Sequence, residues 1–216
     1  MKIEDLLRVI QEGIGLFEEN ELAYLSLTSK NESVIRDKVA YKLHLELKNS
    51  IVVKEYKRID LAILEGDKIK DIVELKSMYT FDSIPRVRSK SHFKSRTDEY
   101  MNEVIEDFHK NSRFLNENVN QYAVIIATHP KQIPNKKYKE AIQYYDKIIS
   151  STKKIDNYTI LNNTKKSLHQ TFGCSQYSIK ELKLECGRAF GIDIEVYIWI
   201  VHRNKEKTRS LEGYNK

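Results

Sequence analysis

Two short runs of the chain carry acidic and basic residues at spacings that suit one kind of chemistry. The first is Arg58-Ile59-Asp60-Leu61-Ala62-Ile63-Leu64 and the second Asp71-Ile72-Val73-Glu74-Leu75-Lys76-Ser77. Between them, Glu65-Gly66-Asp67-Lys68 has the composition of a hairpin turn. Alternate side chains of a strand share a face, so Glu74 and Lys76 point one way while Val73 and Leu75 point the other. Asp60 is out of phase with Ile59, Leu61 and Ile63. Thirteen residues separate Asp60 from Glu74, which suits two strands joined by a tight turn. Two carboxylates from paired strands then converge with one ammonium beside them.

Such a set is useful for hydrolysing a phosphodiester. Carboxylate oxygens hold Mg²⁺, a hard cation that keeps several of its waters. The ion polarises the phosphate, lowers the pKa of water and stabilises the leaving oxygen. A nearby lysine steadies the extra negative charge or positions the attacking water. The backbone carbonyl of Leu75 is a further candidate ligand. Read blandly, Asp60, Glu74 and Lys76 are surface charges on two ordinary strands, and Glu-x-Lys alone is common. The combined spacing, strand order and apolar flanks favour the site.

These residues resemble the PD-(D/E)XK nuclease superfamily, in which an Asp, a hairpin and a Glu-x-Lys follow in this order. The resemblance implies a restriction-endonuclease-like fold: an α/β (α+β) domain with a mixed β-sheet core flanked by helices. It implies metal binding by Asp60 and Glu74 and a catalytic role for Lys76. Ile59 stands where the family's proline would be; members with an Arg-hydrophobic-Asp form also lack it. The family often places a Glu near the start of the preceding helix. Glu32 occupies that place, in phase with Ile35, Val39 and Leu43, and joins the expected catalytic and metal-binding set. The bland alternative for Glu32 is a helix-dipole partner or a salt bridge to Arg36. Asp107 and Lys110 match a polar pair that many relatives carry in the following helix, although a solvated helix face is the favoured reading there. The resemblance covers roughly residues 30 to 128.

Positioning such a site requires particular elements. Apolar periodicity predicts a helix from Ile3 to Glu18 and another from Asn31 to Leu47, with Ser29 or Asn31 as its cap. Strands are expected over Ile51–Tyr56, Arg58–Glu65 and Ile69–Ser77. A long helix over Thr97–Leu115 and a buried strand over Tyr122–Thr128 follow. Pro130 and Pro134 precede a predicted helix over Lys136–Ser150. Lys180–Cys186 reads as helical and Phe190–Val201 as a late strand. The expected organisation is one domain over 1–216, with a core at about 30–128. Residues 1–29 would form an N-terminal helix, and 129–216 would supply C-terminal helices and a late strand as a recognition or dimerisation element.

The chain has 216 residues, 40% of them hydrophobic, enough for one core. Charges interrupt every apolar run, which argues against a membrane span and against a secretory signal. Cys174 and Cys186 are too few for a disulfide framework and match no common zinc spacing, so a reduced, cytoplasmic setting is expected. The net charge of +6 permits a phosphate-rich partner. Arg86, Arg88, Lys90, Lys94 and Arg96 form a basic segment after the site that could grip a nucleic-acid backbone. His109, His129 and His202 lack partners at metal-ligand spacing, and Tyr144, Tyr145 and Tyr197 read as packing residues. The expected function is a Mg²⁺-dependent (or Mn²⁺-dependent) DNA endonuclease, in restriction, mobile-element or antiviral defence, with a homodimer expected if both strands are cut. The alternatives are a non-catalytic nucleic-acid-binding or regulatory module, or a nuclease for branched DNA or RNA.

Overall fold

The computed structural model describes residues 1–84, 95–114 and 119–204. Its elements run α1 (Ile3–Ile14), α2 (Glu21–Thr28), α3 (Glu32–Glu46), β1 (Ile51–Tyr56), β2 (Ile59–Glu65), β3 (Lys68–Tyr79), α4 (Arg96–Asn111), β4 (Asn120–Pro130), α5 (Tyr145–Thr152), α6 (Asn157–Phe172), β5 (Tyr177–Ala189) and β6 (Ile192–Arg203). The strands form one mixed six-stranded sheet in the order β1-β2-β3-β4-β6-β5. Only β3 and β4 are parallel; the other neighbours are antiparallel. This is an α+β fold with a mixed sheet between helices, the class expected from the sequence. No described helix is long and apolar enough to cross a membrane.

Two apolar layers sandwich the sheet. On one face Leu61, Ile63, Val73, Leu75, Val124, Ile126 and Ile198 bury against α1, α2 and α3 through residues such as Leu6, Ile10, Leu27, Ile35 and Leu43. On the other, Ala123, Ile125, Trp199 and Val201 meet Met101, Val104 and Phe108 of α4 and Leu168 and Phe172 of α6. Central strands covered on both faces must be apolar on both, which explains the nearly unbroken hydrophobic runs of β4 and β6. The β2–β3 turn carries Gly66 at φ +57°. Glycine adopts that left-handed conformation without a side-chain clash.

Several boundaries differ from expectation. The first helix ends at Ile14, and a separate α2 follows it. Lys136–Ser150 is not one helix: a 3₁₀ turn at Lys136–Tyr138 precedes α5. The Gln143 N–H donates to the Leu27 carbonyl (2.9 Å), so that donor is used by tertiary structure instead of a helix. Residues 157–172 form α6. Lys180–Cys186 is not helical but lies in β5. Leu182, Leu184 and Cys186 turn toward the core and alternate with exposed Lys183 and Glu185. Pairing with β6 overrides the helix propensity of Lys, Glu and Leu, and the charges suit an edge strand. The C-terminal segment is integral to the core, because β6 pairs directly with β4.

β5 bends at an irregularity between Glu185 and Arg188, where Gly187 has φ +87°. Asn20, itself at φ 63°, accepts a hydrogen bond from the Arg188 N–H at 2.6 Å, tying the start of α2 to this bend. A β-carbon at Gly187 would overlap the Asn20 side-chain oxygen. Gly187→Ala should therefore lower stability by about 1–3 kcal/mol, read as a lower urea midpoint at unchanged slope.

Candidate metal and catalytic site

The site is built where β2 leaves β3. The two strands pair up to Leu61↔Val73, whereas β3 continues to Tyr79 with β4 alone as its strand partner. That leaves one edge of β3 open along Leu75, Ser77 and Tyr79. Their backbone N–H groups need acceptors, and carboxylates supply them. The Leu75 N–H donates to Asp60 Oδ2 at 2.8 Å, the Ser77 N–H to Glu32 Oε2 at 2.7 Å, and the Tyr79 N–H to Asp82 Oδ2 at 3.3 Å. Three acidic side chains thus line the edge at the two-residue period of the strand.

Each acid is delivered by its own element. Asp60 is the second residue of β2, and its own N–H donates to Glu74 Oε2 at 3.4 Å. Glu32 is the first residue of α3. Asn31 is the cap of α3, as expected, but only its carbonyl bonds the helix, accepting the Ile35 N–H at 3.0 Å; Ser29 Oγ donates back to the Leu25 carbonyl at 3.1 Å. The buried Asn31 donates to Ser26 Oγ (3.0 Å) and to Thr128 Oγ1 on β4 (3.2 Å). This pins the start of α3 over the sheet beside Tyr79, the register partner of Thr128. Glu32 accordingly reaches β3, not Arg36. Arg36 pairs with Glu55 and with Asp37 (3.3 Å), and lies 3.9 Å from Asp60 Oδ1.

Glu74 and Lys76 project toward α4, where Glu103, Asp107 and Asn111 recur every fourth residue on one helix face. Asn111 Nδ2 donates to Glu74 Oε1 at 2.5 Å. Lys76 Nζ stands 3.1 Å from Asp107 Oδ2 and 3.8 Å from Glu103 Oε2. Asp107 is therefore drawn into the site and is not part of a solvated face, while Lys110 remains largely exposed, 3.3 Å from Asp107. Burial opposes the Lys76 charge, but Asp107, Glu103 and Glu32 outweigh it and raise its pKa, so Lys76 is an ammonium.

The carboxylates are less well compensated. Burial, opposed by the Asn111 bond and reinforced by the Asp60 charge, pushes the Glu74 carboxyl up to about 8. Burial likewise raises Glu32, against the Ser77 N–H and with the Asp60 charge adding to it. Two carboxyls this close in a poorly solvated site favour a proton or a cation between them. Among the described residues, no group of three His, Cys, Asp or Glu side chains could hold a metal ion by itself. The donors that fit a divalent ion are the two carboxylates of Asp60 and Glu74 plus the Leu75 carbonyl, which shares the open side of the strand with the Leu75 N–H. Water would complete the set, as Mg²⁺ prefers.

Of the other expected site residues, Arg86, Arg88, Lys90 and Lys94 lie outside the described residues. Arg96 is the first residue of α4; its guanidinium lies 5.1 Å from the Tyr100 ring centre and 3.6 Å from Glu99. His129 is buried against Thr80 Oγ1 (2.8 Å), His202 stacks on Tyr122 and His109 is exposed, so none joins the site. Asn111, Arg36 and Asp82 border the site; the sequence singled out neither Asn111 nor Asp82 and offered Arg36 only as a partner for Glu32. The four-residue recurrence of Glu103, Asp107 and Asn111 was the available signal for Asn111. No protein-family model, curated protein or solved structure matches this chain.

A carboxyl with a raised folded-state pKa holds its proton more tightly in the folded protein than in the unfolded chain. Stability in chelator should thus fall as pH rises from about 4.5 to about 8 and level off above. Glu74→Gln should flatten that slope, as read by urea unfolding across the range.

Proposed function

We propose that the chain is a Mg²⁺-dependent phosphodiester hydrolase that cuts DNA, with Mn²⁺ as a competent substitute. The observation that carries this reading is the open edge of β3, where Asp60 and Glu74 meet beside the Leu75 carbonyl with the Lys76 ammonium on the same strand. The element order supports the likeness to PD-(D/E)XK nucleases noted from the motif: a helix bearing Glu32, an antiparallel β2–β3 hairpin, then α4 and a strand parallel to β3.

In this reading Asp60, Glu74 and the Leu75 carbonyl would hold the ion, with Glu32 beside them on the same strand edge. The bound ion supplies the positive charge that polarises a phosphate and acidifies water. Lys76, kept protonated by Asp107, is a movable positive charge and hydrogen-bond donor. It is suited to a phosphate oxygen that gains negative charge, not to accepting a proton. Asn111 positions Glu74 by holding Oε1, leaving Oε2 toward Asp60. Arg36 lies beside Asp60 and tempers the charge of the acidic edge. The basic pI of about 9.0 suits a polyanionic substrate.

Purified protein should nick or linearise plasmid DNA with Mg²⁺ or Mn²⁺ and not with chelator. Asp60→Ala and Lys76→Ala should each reduce the rate at least about 100-fold while leaving the circular dichroism spectrum unchanged. Full activity in both variants would refute the assigned site. In thermal unfolding, Mg²⁺ at about 100 times its Kd should stabilise the wild type by about 2.7 kcal/mol, and Asp60→Ala should abolish that gain.

A further inference from the structure

A cleft of about 260 Å³ opens at the end of β3, and Ser77 is among its lining residues. Three cations from three elements reach it: Lys30 before α3, Arg96 in the first turn of α4 and Lys147 on α5. Tyr79, Tyr100 and Tyr144 add aromatic walls, together with Phe81. Arg96 lies over the Tyr100 ring (5.1 Å), and the Lys147 ammonium lies 4.6 Å from the Tyr144 ring centre. Lys30 and Lys147 are exposed, and Tyr100 and Tyr144 are half-buried. Among the described residues, neither Lys30 nor Lys147 is in an ion pair. Asp82 also borders the cleft, where it accepts the Tyr79 N–H.

This combination is specific in its chemistry. Ammonium groups outside any ion pair call for an anion, and half-buried aromatic rings, each with a cation on one side, offer the remaining face or edge to a flat ring. Together they match a phosphate and a base. Size decides how much nucleic acid enters. Small-ligand pockets run from about 300 to 1,000 Å³, so a cleft at or just below the lower end takes one nucleotide and not a duplex. Ser77, on the cleft wall, is two residues from Leu75, about 7 Å along the strand. That is close to one step of an extended nucleotide chain. The Ser77 N–H also binds Glu32, so the cleft and the carboxylate edge are continuous.

We propose that this cleft binds one unpaired nucleotide of the strand being cut, so that the preferred substrate is DNA with a single-stranded segment or end beside the scissile phosphate. The inference rests on the hydrolase reading for the word "cut", but binding can be measured apart from cleavage. Fluorescence anisotropy in chelator would compare a short labelled single strand with the blunt duplex of the same sequence. The wild type should bind the single strand at least about tenfold more tightly. Lys30→Ala/Lys147→Ala should erase the preference, whereas the exposed pair Lys153→Ala/Lys154→Ala should retain it. Tyr100→Ala should weaken single-strand binding about tenfold, and Tyr100→Phe should restore it. Equal wild-type affinity for both probes, or a preference that survives loss of Lys30 and Lys147, would overturn the inference. Cleavage without that preference would refute the cleft assignment and leave the hydrolase reading standing. The preference without cleavage of any substrate in Mg²⁺ would refute the hydrolase reading and leave the cleft as a nucleotide-binding site.

Discussion

The separation of β2 from β3 after Leu61↔Val73 is the constraint on which the rest of the structure depends. An open sheet edge exposes backbone donors that must be satisfied and that invite pairing with another chain. Here side-chain carboxylates stand in for the missing strand. Asp60 and Glu32 each use one oxygen on a β3 N–H. The same bonds that complete the edge collect negative charge along it. Backbone architecture and site chemistry are thus one feature.

How that charge is compensated differs sharply between two buried acids of the sheet. Glu195, buried on β6, is desolvated as well. Its penalty is overcome by Lys183 at 2.8 Å, by the Tyr197 hydroxyl at 2.8 Å and by Lys131 at 3.1 Å, which together hold it at about 2. Glu74, on the same sheet, has an amide from Asn111 and a second acid from Asp60, and rises to about 8. The lysine two residues away is paired with Asp107 on α4 instead. A buried acid with its cations in place is finished structure. One that faces another acid across an open edge keeps a charge that the fold itself leaves uncompensated.

The helices hold this poise from opposite faces of the sheet. α3 is fixed by Asn31 bridging to Thr128, which sets Glu32 over Ser77. α4 is fixed by the apolar residues Met101, Val104 and Phe108, which turn its polar row of Glu103, Asp107 and Asn111 toward Glu74 and Lys76. β6 closes the other edge of β4, so the strand parallel to β3 is held on both sides. The cleft beside the site follows from the same layout, since the end of β3, the start of α4 and α5 meet there.

By itself the sequence determined the hairpin and which side chains share its faces. Alternation over Ile59–Leu64 and Val73–Ser77 set the face of each side chain, and Gly66 supplied the left-handed turn. Local periodicity suffices there because the strands are adjacent in the chain. Local pattern also placed Glu32 at the start of α3 and put β1, β4 and β6 nearly in place, the last two because their apolar runs are long. Only tertiary structure decided that Lys180–Cys186 is a strand, since its charged, helix-prone residues become β5 by pairing with β6. Only tertiary structure brought Asp107 to Lys76 and Asn111 to Glu74, because a helix's polar face has no address until its apolar face is buried. The carboxylate edge was least legible of all. Asp60, Glu32 and Asp82 are distant in the chain, and what unites them is a row of unpaired backbone N–H groups that no side-chain pattern records.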